Sequence, residues 1–246
     1  MMHHNGECLR IQAATIRRDV DISMKDNVQN NGLPTDPMDD LSRGQWVYHQ
    51  LSDSLIQGRL KPDDRIKIRD LAEAMGTSVT PVRDAVQQLV QQGVLVMRSP
   101  RDIRVTRIGR DEYLEIRDIR LELEGMAAAA AAPKASAVDI KRLQSLIVLN
   151  EQALTEGRVV DAVLLNQQFH FEYCRVAGMP NLLAILRVLW LKMGPLIAQS
   201  YEAGGRDMVD HHYPLIVAFK NKDARAAKLA VQNDIISGGR AMLDSF

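Results

Sequence analysis

Residues 71–95 read LAEAMGTSVTPVRDAVQQLVQQGVL. This stretch predicts a short helix, a polar turn and a second helix with a marked start. Thr80 is the expected N-cap, because its hydroxyl can accept from an orphan amide of the first turn. Pro81 then falls at N1, where its missing N–H costs nothing and its fixed φ suits a helix. Val82, Ala85, Val86, Leu89 and Val90 recur at i, i+3, i+4, i+7 and i+8, which is one buried stripe. Gly93 stands at the C′ position that ends such a helix. The opposite face carries Arg83 and Gln87, four residues apart and therefore side by side near the N-terminal end. A helix marked this way is the kind that enters the DNA major groove.

The flanks extend the pattern. Downstream, VLVMRSPRDIRVTRI (94–108) holds two β-branched runs separated by Ser-Pro-Arg-Asp, a two-stranded hairpin. Upstream, Val47, Leu51 and Leu55 share one side of a helix over about 40–57, ended by Gly58, and LKPDD reads as a turn. Ile68–Met75 is the short helix, closed by Gly76. Three helices and a hairpin make a winged helix-turn-helix. Net charge is zero over the 246 residues, yet Gly58–Arg110 holds eleven Lys/Arg against six Asp/Glu. That local basic excess is the footprint of a nucleic-acid binder.

Beyond Gly109 the strand signals stop. Helix-period segments cover Asp111–Ala132 (stopped by Pro133), Val138–Glu156, Val159–Ala177 (closed by Gly178) and Asn181–Ala203. The last is apolar nearly all round, which predicts a central position, and Pro195 predicts a kink. A helix with His212, Leu215, Ile216 and Phe219 follows, then one from Asp223. Six helices over ~135 residues with short connections describe an antiparallel bundle. The fold class is therefore mainly α, a winged helix-turn-helix followed by an all-α bundle. The expected parts are a mobile tail (1–38), a DNA-binding domain (39–108) and an all-helical domain (111–246). Two cysteines, Cys8 and Cys174, imply no disulfide framework and fit a reducing cytoplasm. No stretch reads as a membrane span of ~18–20 apolar residues.

A winged helix holding SVTPVRDAVQQLVQQGVL before a helical domain of this length resembles the GntR family of bacterial transcription regulators. Within it, the chain resembles the FadR-like branch with an FCD effector domain. The resemblance covers about residues 41–244. Its specific motif, commonly S-R-T-P-V-R-E-A-L, is matched by Ser78–Val86; looser landmarks are IRLELEGMAA (119–128), NQQFHFEYCRVAGMPN (166–181) and HYPLIVAFKNKD (212–223). The resemblance implies that Arg83 contacts bases or nearby phosphates, Ser78 and Thr80 the DNA backbone, Arg69 the groove edge and Arg101 the minor groove. Two positions depart from the family pattern. Val79 replaces the arginine between Ser and Thr, and Asp102 replaces a wing glycine, with a charge expected to repel phosphate.

Many FCD domains hold a divalent metal with an Asp and a His four residues apart and two later histidines. The matching positions are Asn166, His170, His212 and Asp234. Imidazoles with oxygen donors suit Zn, Ni, Cu, Fe or Mn. The alternative for His170 is a satisfied core histidine, and His211 beside His212 leaves the register open. Arg120 matches an arginine that pairs with a carboxylate effector in similar domains; its alternative is a helix-surface ion pair with Glu124, also i, i+4. Ala127–Ala132 reads as a small-residue face for close helix packing. The resemblance thus implies a cytoplasmic homodimeric regulator, a repressor rather than an enzyme, on a near-palindromic double-stranded operator and switched by a small organic acid. Two other readings stand beside it. One is a metal-dependent hydrolase using His170, His212 and Asp234. The other is a ligand-binding module whose DNA binding is impaired.

Overall fold

A computed structural model describes residues 43–204, 206–244 and 246. The tail expected over 1–38 lies outside the described residues. The chain divides into two compact units, one of residues up to Ser54 with Lys61–Thr106, the other of Leu55–Leu60 with Arg107–Phe246.

The first unit holds helix α1 (Arg43–Ile56) except its last two residues, helices α2 (Ile68–Ala74) and α3 (Val79–Gln91), and strands β1 (Arg65–Ile66), β2 (Leu95–Ser99) and β3 (Asp102–Val105). Helix α3 starts earlier than its sequence suggests. Ser78 is the N-cap, without a side-chain cap bond, and Val79 is N1. Pro81 therefore falls at N3, still within the first turn, whose amides have no intrahelical acceptor. Val82, Ala85, Val86 and Leu89 are each 0–1% exposed. Gly93 adopts φ +70°, with Gly93 N donating to Val90 O and Val94 N to Leu89 O. This left-handed cap turns the chain straight into β2. The wing has three strands, antiparallel in the order β1-β3-β2, with Ile66 opposite Ile103 and Leu95 opposite Val105. Two residues carry no readable alternation, so β1 is visible only through its partner.

The second unit holds α4 (Arg110–Ala131), α5 (Ala137–Thr155), α6 (Val159–Ala177), α7 (Pro180–Gly204), α8 (Asp207–Asp210), α9 (Tyr213–Lys220), α10 (Ala224–Gly238) and α11 (Arg240–Leu243). These are eight helical segments among the described residues where six were expected, the additions being the two four-residue helices. His212 does not lie inside a long helix but caps α9, with Pro214 in the first turn. Proline favours a helix start here, because in a helix interior its ring collides with the carbonyl four residues back. Ser136 and Asp139 form a reciprocal capping box on α5, and Asp223 caps α10 through Ala226 N.

Ala127, Ala128, Ala131 and Ala132 are wholly buried and let neighbouring helices approach α4 closely. Helix α7 is less enclosed than its composition predicts. Leu182, Leu186, Trp190 and Met193 are buried while Ile185 is half exposed. Its segment Pro180–Glu202 is nevertheless long and apolar enough to cross a membrane, with mean hydropathy 1.5 in its most apolar window, 56% of which is buried inside the protein. The sequence reading that no such stretch exists is thus corrected. Arg187 and Lys192 interrupt the run of apolar residues, yet the average over the segment stays high. Pro195 lies inside the helix, so the Leu191 carbonyl lacks its usual i→i−4 donor.

Candidate functional site

Helix α3 buries one face and leaves the other bare. Arg83, Gln87 and, at the N-terminal end, Ser78 and Thr80 are all exposed, as are Arg69 on α2 and Arg101 in the turn between β2 and β3. The polar edge of α3 is therefore not spent on the protein's own core. The wing changes the meaning of Asp102. Its carboxylate accepts from Arg104 Nε at 2.8 Å and lies 3.9 Å from Arg65 Nε. Arg65 Nη2 also donates to the Arg101 carbonyl at 2.6 Å. Asp102 is thus a charge-paired staple of the wing tip rather than a bare anion facing phosphate. Arg65, on a strand missed in the sequence, is the group that ties this tip to β1.

The second unit collects charge in its core. Arg120 and Glu124 make the i, i+4 pair expected of them, at 2.6 Å, but it is buried, not on the helix surface: Arg120 is 5% and Glu124 0% exposed. Glu124 accepts four bonds. Arg120 Nε and Trp190 Nε1 reach Oε1 at 2.6 and 3.2 Å, and Tyr173 Oη and His170 Nδ1 reach Oε2, each at 2.7 Å. Burial alone would raise the Glu124 carboxyl, but the charges and bonds of Arg120 and His170 hold it well below the usual carboxylate range. An ionised carboxylate only accepts, so Nδ1 of His170 carries a proton. No sequence signal singles out Glu124 beyond its spacing from Arg120. Its contacts to α6 and α7 come from packing.

On its other side, His170 Nε2 lies 3.2 Å from Asp234 Oδ2, and His212 Nε2 lies 3.4 Å from Asp234 Oδ1. Helices α6 and α10 and the cap of α9 supply these three buried groups. Their ligand atoms all fall within 4.8 Å of one another. His212 is the buried member of its pair, 1% exposed, and its ring stacks on Phe169 with centroids 4.1 Å apart. Among the described residues neither of its nitrogens makes a hydrogen bond. Burial therefore drives His212 down to about 4 against the pull of Asp234. Burial also opposes charge on His170, but Glu124 and Asp234 push it up to about 9. Asp234 is lowered, its burial outweighed by His212 and His170.

A fully buried imidazole with two idle nitrogens, facing a carboxylate and a second imidazole whose other nitrogen is already held by a carboxylate, fits a divalent cation. Asn166 is buried one turn before His170 and lines a cavity of about 30 Å³ together with Arg120, His170 and Asp234. His170, His212 and Asp234 thus form one cluster, and His170 and Asp234 also border the cavity that Asn166 and Arg120 line.

Residues 44–105 match the family of bacterial regulatory proteins called gntR, and residues 115–236 match the FCD domain. The HTH-type transcriptional regulator McbR of Escherichia coli K12 is 32% identical over 198 residues, covering 79% of this chain and 90% of McbR. The chain belongs to the GntR family. A probable D-xylose utilization operon transcriptional repressor of Paenarthrobacter nicotinovorans is 28% identical over 194 residues, covering 77% of this chain and 85% of that protein. The solved structure of E. coli McbR/YncC superposes with a TM-score of 0.77 at 31% identity, covering 83% of this chain and 98% of that one. This GntR-family chain is therefore a transcription regulator with a DNA-binding winged helix and an FCD effector-binding domain.

Proposed function

We propose that this protein is a cytoplasmic, homodimeric repressor that reads a near-palindromic operator and releases it when a small organic acid binds. In this reading residues 39–108 are the reading head and 111–246 the effector and dimerisation domain. The observation that carries it is the bare edge of α3. Arg83 and Gln87 face solvent from a helix whose other side is buried core. Arg83 contacts a base edge, with Gln87 beside it. Ser78, Thr80 and Arg69 hold the backbone, and Arg101 enters the minor groove. Dimer symmetry places one such helix on each half-site.

In the FCD domain, His170, His212 and Asp234, with Asn166 as neutral oxygen donor, hold one divalent ion of the Zn, Ni, Mn or Fe class. Bound there, such an ion supplies positive charge for an anionic ligand. Arg120 supplies a second positive group. The effector acts by binding one dimer arrangement better than the other, since equal affinity for both shifts nothing. In this reading the His-His-Asp cluster serves sensing rather than the hydrolysis of the alternative, and the family's regulators support it. Incubating the purified chain with fragmented DNA of its source genome and sequencing what it retains tests the proposal. An inverted repeat beside a small set of genes is expected; retention without sequence preference refutes it.

A further inference from the structure

Val79, Arg83 and Gln87 follow one another at intervals of four along α3 and so form a single ridge. Arg83 and Gln87 are exposed and Val79 is partly exposed, whereas Val82, three positions on, is 0% exposed. Because the helix is capped at Ser78 and not at Thr80, Val79 is its first residue. Reading helices reach base edges with their N-terminal residues. Ser78 and Thr80, both exposed, stand on either side of Val79 with hydroxyls suited to phosphate. An aliphatic side chain is thus placed among polar ones at the end of the helix that meets the bases.

An isopropyl group neither donates nor accepts a hydrogen bond. Set against phosphate or a purine edge, it removes water from polar atoms and returns no bond. The apolar feature on the floor of the major groove is the C5 methyl of thymine. Valine at this place therefore favours a thymine. Its neighbours on the ridge use other chemistry, since an arginine fork matches guanine O6 and N7 and a glutamine amide matches adenine N6 and N7. Each step along the ridge rises about 6 Å, against about 3.4 Å per base pair. Neighbouring readers therefore fall about one or two base pairs apart.

We infer that Val79 is a specificity-determining residue of this regulator, selecting through its methyl group a thymine about one or two base pairs from the guanine read by Arg83. This inference rests on the proposal that the bare edge of α3 reads the operator. The contact is apolar and releases no counterion, so its share of the affinity does not fall with salt as a phosphate contact does.

Selection of the full chain on a random duplex pool gives its preferred half-site. Fluorescence anisotropy then compares duplexes in which each thymine is replaced in turn by deoxyuridine, which pairs identically but lacks the methyl. At one thymine near the guanine that Arg83 requires, deoxyuridine is expected to weaken binding about fourfold per half-site, the factor set by burying one hydrocarbon group. The penalty should be the same at low and high salt. Val79→Ala should bind the thymine and deoxyuridine duplexes alike. Val79→Arg, selected on the same pool, should exchange that T·A pair for G·C and leave the other positions unchanged. The deoxyuridine scan of the wild type alters only the DNA, so it decides the matter even where a variant fails to fold. A selected half-site with no methyl-dependent thymine, an undiminished penalty in Val79→Ala, or an unchanged half-site in Val79→Arg overturns this inference and leaves the proposed function standing. If the chain selects no sequence from the pool, both fall.

Discussion

Glu124 Oε2 lies 2.7 Å from His170 Nδ1, so a carboxylate on α4 sets the proton and the orientation of a candidate metal-binding ring on α6. The same carboxylate holds Arg120 through its other oxygen. One buried group therefore orders both His170 and Arg120.

Replacing such an outer carboxylate commonly lowers metal affinity about 10–100-fold. Glu124→Gln is expected to do so here, because the amide keeps the size but cannot accept from all four donors. Zinc titration against a competing chelator, on protein shown to be folded by its own urea transition, measures the effect. Tyr173→Phe, which removes the 2.9 Å approach of Tyr173 Oη to His170 Nδ1 but leaves the Glu124–His170 contact in place, serves as the comparison and should lose far less. Equal zinc affinity in wild type and Glu124→Gln would show that the carboxylate only packs.

The two histidines give the metal-free protein opposite pH limbs. His170 is raised to about 9, so its stabilising contribution is complete below its ordinary 6.5 and disappears as pH climbs through 9. His212 is depressed to about 4, so its contribution is complete above 6.5 and disappears as pH falls toward 4. Urea midpoints measured between pH 4 and 9.5 after chelation should peak near 6.5. His170→Asn should flatten the alkaline limb and His212→Asn the acid limb. A flat alkaline limb in the wild type contradicts the arrangement.

An arginine fork on guanine discriminates by ~1–3 kcal/mol, whereas a lysine on phosphate adds salt-sensitive affinity alone. Arg83→Ala is therefore expected to erase the difference between an operator retained from genomic DNA and a scrambled duplex. Lys61→Ala should weaken both duplexes alike and lower the salt slope. Fluorescence anisotropy at two salt concentrations reads both. Full discrimination by Arg83→Ala would remove that residue from base reading.

Leu89 is 0% exposed in the core behind the recognition helix. Leu89→Ala should cost roughly 2–5 kcal/mol of stability and lower the midpoint of the winged-helix unit in denaturant. Its loss of DNA binding should follow that midpoint and reverse on cooling, unlike the loss in Arg83→Ala, which leaves folding intact. A Leu89→Ala protein with an unchanged midpoint would mean the site can collapse around the missing atoms.

Local chemistry made much of this protein readable from its residues. The 3.6-residue stripe of Val82, Ala85, Val86 and Leu89, the left-handed Gly93 and the β-branched runs around Ser-Pro-Arg-Asp specify recognition helix, cap and hairpin, because each depends on neighbours within a few positions. Those same rules placed the start of α3 at Thr80, and they missed β1, because a cap is chosen by the whole turn and a two-residue strand exists only against its partner. The central charges depended on packing throughout. Arg120 and Glu124 are an ordinary i, i+4 pair until α6, α7 and α10 close around them. Burial then turns Asp234, His170 and His212 from scattered polar residues into one site, by removing the water that would otherwise satisfy each of them separately.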